Sequence, residues 1–298
     1  MSFLGSLLGG HKKETSSVDP ELKPLLDFAR ETLGQEVFAG RDSVTKVASA
    51  FTSAAQYFDR QIQEIPGPVG MSGLAHAHDA FLCAVFPEMM DIQAALGRSI
   101  AVKDQLPRFA EQGQQRVFGL IGMRFRDRDP EAKQPGLLAD HTLTCLSTSV
   151  EETRRALREA ACRRVVLNFH AHLDKLRQKG KLFSDEWNIE HFQTVRDSHA
   201  DSRRMIFEDY RYAETELTPD NILRGLVAWL AGAAEHFHVE VSDLAIPCNR
   251  GAQSVTYTIP LIAAADRRRW HVALVEFSTQ EGLRALTQEA RVHRYILI

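Results

Sequence analysis

DHTLTCLSTSVEETRRALREAACRRVVLNFHAHLDKLRQK, residues 140–179, is the stretch on which the fold turns. Leu143, Leu146, Val150, Leu157, Ala161, Val165, Phe169, Leu173 and Leu176 recur at intervals of three, four or seven. That is the spacing of one face of an α-helix. Gly180 stands where a C-terminal cap belongs. The pattern predicts one helix from Asp140 to Lys179. Ser184, followed by Asp185 and Glu186, predicts the start of another that runs to Glu214.

Helical spacing also governs what precedes it. Val44, Phe51, Phe58 and Ile65 are seven apart, with Ala48, Ala55 and Ile62 at the complementary heptad position. Such a seam suits helix-on-helix or coiled-coil packing. Gly34 and Gly40 bend or break the helical pattern that begins at Pro20. The Pro66-Gly67-Pro68 run marks a break. A second helical stretch is predicted from Met71 to Phe125, interrupted at Pro87 and Pro107. Arg126 to Gly136, charged and carrying two prolines, reads as a loop.

Beyond Glu214 the texture changes. Thr218-Pro219 opens a short helix, with the hydroxyl as N-cap and the proline at the first helical position. His238–Ile246, Ser254–Ala263 and Trp270–Phe277 read as strands, the second by its polar–apolar alternation. Thr279–Ala290 reads as a helix and Val292–Ile298 as a closing strand. The expected fold class is therefore mainly α. An elongated or bundled helical domain at 20–218 follows a flexible leader at 1–19 and precedes a small α+β segment at 219–298.

Composition is that of a globular protein, 44% hydrophobic and 25% charged. Cys83, Cys145, Cys162 and Cys248 form no Cys-x-x-Cys pair and read as buried thiols of a reducing compartment. The opening residues lack the basic-then-apolar order of a secretory signal, and Arg224 interrupts the longest apolar run, Ile222–Ala234. A cytoplasmic protein with room for peripheral membrane contact is expected.

The net charge of −3 conceals an asymmetry. Residues 116–181 hold 14 Lys/Arg against 8 Asp/Glu, and residues 182–220 hold 4 against 10. Arg154, Arg155, Arg158, Arg163, Arg164, Lys175, Arg177, Lys179 and Lys181 make the long helix basic. Either the acidic stretch packs on it and neutralises it, or it faces an anionic partner. Phe169 is its only aromatic residue, which ranks lipid or protein above nucleic acid. In the leader, Phe3, Leu4, Leu7 and Leu8 form a short apolar stripe fit for insertion into a bilayer interface.

Chemistry-bearing clusters are sparse. His76, His78 and Asp79 are the candidate metal ligands. The His78-Asp79 pair is similar to the dyad of HD-type metal phosphohydrolases, but the only histidine upstream of the His76–His78 cluster is His11, in the leader. Asp243 and Glu276 fall on predicted strands as in restriction-type nucleases, without the lysine that should follow the glutamate. No phosphate-binding loop or nucleophile elbow is present, and no cofactor is expected.

The apolar leader, the heptad-like helices, the long interrupted helix and the basic helix resemble the plan of BAR-domain proteins across residues 20–214. That resemblance implies an antiparallel helical homodimer whose basic surface meets curved anionic membrane. The broken first helix, the two prolines in the second and the α+β tail depart from it. The expectation is a non-enzymatic, self-associating helical scaffold. Its alternatives are a protein-binding adaptor and a metal-dependent hydrolase or nuclease-type effector.

Overall fold

The computed structural model describes residues 19–126, 137–192, 211, 214–247, 254–264 and 269–294. Their contacts divide into two compact units, within residues 1–52 and 166–230 for one and within 53–165 and 231–298 for the other.

The described residues of the first unit are helical. The unit holds α1 (Lys23–Leu33), the first half of α2 (Ser43–Gln63), the latter part of α7 (Val150–Phe192) and nearly all of α8 (Pro219–Ala231). Leu25, Leu26, Ala29 and Leu33 of α1 are buried at helical spacing. Trp229 of α8 packs on Phe169 of α7 with ring centroids 5.4 Å apart. Gly225, one turn earlier, leaves room for the Phe169 ring, which a Cβ there would meet at 2.8 Å.

The second unit is built on a sheet, and it overturns the expected mainly helical class. Its strands are β1 (Val69–Gly70), β2 (Arg116–Arg126), β3 (Leu137–Ser147), β4 (Phe237–Pro247), β5 (Ser254–Ala264) and β6 (Arg269–Ser278). They lie in the order β3-β2-β6-β5-β4, each antiparallel to its neighbour, with β1 parallel to β6. The central strand is β6. It pairs with β2 from Arg116↔Ser278 to Met123↔His271. On its other edge it meets β5 around Leu261↔His271 and then β1 at Val69↔Val275.

Two strands therefore lie where helix was expected. β2 occupies the end of the predicted Met71–Phe125 helix. β3 takes the first eight residues of the predicted Asp140–Lys179 helix, which begins at Val150 instead. The reason is burial from both sides. Leu120 and Ile121 of β2 are consecutive and both buried, so this strand shows an apolar run rather than alternation. Register shifts between Phe118 and Leu120 and between Gly122 and Arg124 put bulges opposite β3 and scramble the period-two pattern there. Gly180 does not end α7, which continues to Phe192. A glycine costs a helix interior only about 1 kcal/mol. Val292–Arg294 belong to α10 (Thr279–Arg294) rather than to a closing strand.

Helices α3 (Gly73–His78), α4 (Ala80–Val85), α5 (Met89–Arg98), α6 (Ile100–Glu111) and α10 contribute to the core on one face of the sheet. There Ile121, Met123, Leu143, Ala273, Val275 and Phe277 meet Leu82, Phe86, Ile92, Leu96, Leu106 and Ala285. The opposite face, with Leu120, Val272 and Leu274, is buried as well. Along it α2 places Phe58 edge-on to Phe237 at 5.4 Å, and Gln61 Oε1 accepts the Val239 N–H at 2.8 Å. Of the heptad seam, Phe51, Ala55, Phe58, Ile62 and Ile65 are buried, while Val44 and Ala48 are half-buried. Local signals fix the helix starts. Ser72, Asp79 and Ser99 each accept first-turn amides of α3, α4 and α6, and Glu88 and Asp91 form a capping box on α5.

Candidate functional site

Between α5 and the start of β3 lies a cleft of about 450 Å³. Asp91, Ala94, Ala95 and Arg98 supply one wall, spaced i, i+3, i+4, i+7 so that they share a helix face. Five consecutive residues of β3, Leu137 to His141, supply the other. A strand that lines a cavity with consecutive residues presents its edge rather than one face. β3 is indeed the last strand on this side of the sheet among the described residues. The alanines provide the room.

A bulge sets the chemistry. Asp140 adopts a left-handed backbone with φ 55°, a conformation aspartate tolerates better than most residues. Its carboxylate receives both hydrogen bonds from one Arg126 nitrogen, at 2.7 and 2.9 Å. That bonding holds the Asp140 carboxyl below the usual aspartate range, against a smaller upward push from burial. The kink re-aims the next side chain. His141 stacks on Phe86 with centroids 4.5 Å apart, and its Nε2–H donates to the Val85 carbonyl at 2.9 Å. Burial pushes the His141 pKa down, and the Val85 carbonyl, Asp91 and Asp140 only partly offset it. The ring is therefore neutral at pH 7. With Nε2 carrying the proton, Nδ1 is an acceptor, and no described residue occupies it.

The remaining charges mostly cancel. Arg98 is paired with Glu289 of α10 at 3.2 Å, and Asp140 with Arg126. Asp91 gives one oxygen to the Glu88 amide at 3.0 Å and keeps the other unshared among the described residues. One unbalanced carboxylate and one imidazole acceptor thus share the cleft. Among the described residues its lining carries no hydroxyl, thiol or amine that could act as a nucleophile.

The residues singled out in the sequence go elsewhere. His76 donates from Nε2 to the Phe86 carbonyl at 2.8 Å, and its own carbonyl accepts the Cys83 thiol. Asp79 caps α4 by accepting the Phe81 and Leu82 amides at 2.8 and 3.1 Å. His78 closes α3. Among the described residues no three His, Cys, Asp or Glu side chains gather into a metal-binding group. Asp243 accepts the Thr258 hydroxyl, Glu276 faces Arg116 at 3.7 Å, and β5 runs between their strands.

On α7 the cations are partly engaged. Arg158 reaches Asp59 of α2 at 3.1 Å, Arg163 reaches Glu159 at 2.6 Å, and Arg177 reaches Asp174 at 2.8 Å. Arg154 is half-buried, while Arg155, Arg164, Lys175, Arg177, Lys179 and Lys181 are exposed. Arg155 and Arg164 are nine residues apart, which at 100° per residue sets them on opposite sides of the helix. Phe3, Leu4, Leu7 and Leu8 lie outside the described residues, as does most of the acidic stretch. No helix among the described residues is long and apolar enough to cross a membrane.

Asp140 and His141 escaped the sequence reading because they stand inside a strand taken for a helix. The available signal was Thr142 and Thr144 alternating with Leu143 and Cys145. Comparison with family models, with curated proteins and with solved structures finds no match for the chain.

Proposed function

We propose that this chain is a recognition protein whose α5–β3 cleft binds a small cationic group, such as a protonated amine or a guanidinium. One observation carries the reading. The neutral His141 acceptor and the unshared oxygen of Asp91 line a single cleft whose other charges are paired. The volume lies within the range typical of small-molecule sites, roughly 300–1,000 Å³. A ligand whose positively charged end donates N–H bonds matches both groups.

Calorimetric titration with agmatine, and with acetate as the opposite charge, tests this. Agmatine binding is expected at pH 7.5, acetate binding is not. The agmatine affinity falls as the pH drops below the His141 pKa, because an imidazolium repels the ligand. Asp91→Asn weakens binding at least tenfold. Equal binding by Asp91→Asn and by a His141→Ala variant would sink the proposal, as would failure of agmatine to bind at millimolar concentration.

A second reading rests on the six exposed cations of α7, which suit a peripheral, salt-sensitive contact with anionic lipid. Co-sedimentation with vesicles tests it separately.

A further inference from the structure

A different surface of the second unit joins a knob to a hollow. Leu74 is 83% exposed, the highest value among the large hydrophobic residues described. It directly follows Ser72 and Gly73, which line a hollow of about 150 Å³. Met71, Ile92 and Leu96, all buried, form the hollow's apolar floor, and Met89 forms part of its wall. Gly73 is what lets Met89 lie there, since a Cβ on residue 73 would meet the Met89 sulfur at 2.9 Å. Met89 and Met90 add further exposed apolar surface, 47% and 61%. The hollow is about the size of one leucine or phenylalanine side chain. Flexible methionines around such a hollow adapt readily to an incoming group.

Charge picks the occupant. Glu281 and Arg284 line the same hollow and stand three apart on α10. Neither forms an ion pair among the described residues. In a two-fold contact the same patch meets itself, so residue i faces residue j and j faces i. A patch that carries a knob beside a hollow, and an acid beside a base, is complementary to its own copy.

We propose that two copies of this chain associate through this patch. Leu74 of each inserts into the hollow of the other, and Glu281 of each pairs with Arg284 of the other. The proposal goes beyond the ligand cleft and does not depend on it.

Sedimentation equilibrium of the full chain across a wide concentration range is the test. The mass is expected to rise from monomer toward twice that value. Leu74→Asp, at a site exposed enough to leave folding intact, should keep the monomer mass throughout. Glu281→Arg alone should weaken association at least tenfold, and adding Arg284→Glu to it should restore association. A wild-type chain that stays monomeric at every concentration overturns the proposal and leaves the hollow to a different protein. Association unchanged by Leu74→Asp overturns it too.

Discussion

Three histidines of the second unit, His141, His236 and His271, are held below the ordinary imidazole pKa of 6.5, in each case chiefly by burial. His271 is 6% exposed and its Nδ1 is buried without a hydrogen-bond partner among the described residues. The unfolded chain takes up protons on these rings as the pH falls through 6.5, while the folded chain resists until lower pH. Folding stability from them is therefore complete above about pH 6.5 and is lost progressively below it. The melting temperature should drop steadily from pH 7 to pH 5 in differential scanning calorimetry. Replacing His271 by Gln should flatten that slope; an unchanged slope would refute the assignment. His76 and Asp79 show the converse at this scale. Their residue types and spacing suit metal ligation, yet their side chains satisfy backbone groups at the ends of α4. Residue identity and i, i+3 spacing are the same for a ligand pair and for a cap. Only the position of the chain break at Asp79, extended with φ −96° and ψ 112°, separates the two.

Among the elements, the three C-terminal strands and α10 were legible, because β5 opens with polar–apolar alternation and β4 and β6 are rich in valine and aromatic residues. β2 was not, since both faces of a strand near the centre of the sheet are buried and the alternation vanishes. β3 was hidden by its bulges, and with it went Asp140, His141 and the whole cleft. Sequence spacing did locate the buried stripe of α2, but it could not say that a sheet, rather than another helix, covers part of it. The segment before β1 shows how tightly the sheet is closed. Pro66 accepts the Leu274 N–H at 2.8 Å, and Gly67 sits at φ +118° with its missing Cβ only 2.3 Å from the Leu274 carbonyl oxygen. A side chain here meets both steric exclusion by rigid backbone and an unfavourable dihedral. Gly67→Ala should destabilise the protein by about 1–3 kcal/mol, read as a lower midpoint in urea unfolding. A neutral effect would mean that the strand can step away from β6.

For the whole molecule, the basic helix is the feature whose role depends most on context. Arg158, Arg163 and Arg177 each have an acidic partner, and Arg155 and Arg164 point to opposite sides. A flat anionic surface can therefore engage only some of the exposed charges at once. Binding to vesicles rich in anionic lipid should be weak and should vanish between about 50 and about 150 mM salt, where screening shortens to roughly 8 Å. Arg158→Ala should leave it unchanged, because that charge is already matched by Asp59. Tight binding that survives the higher salt, or that collapses with Arg158→Ala, would show that the helix meets lipid in another way.

The place of β6 at the centre of the sheet also imposes an order in time. Its partner β2 leaves the ribosome about 150 residues earlier, as Met123↔His271 shows. At roughly 5–20 residues per second, that is an interval on the order of ten seconds or more. Throughout it β2 and β3 can form only a two-stranded hairpin, with the backbone edge of β2 that belongs to β6 unpaired and its apolar faces bare. The nascent chain must be shielded from its neighbours during that wait, and a message truncated before residue 269 yields a product whose sheet can never close.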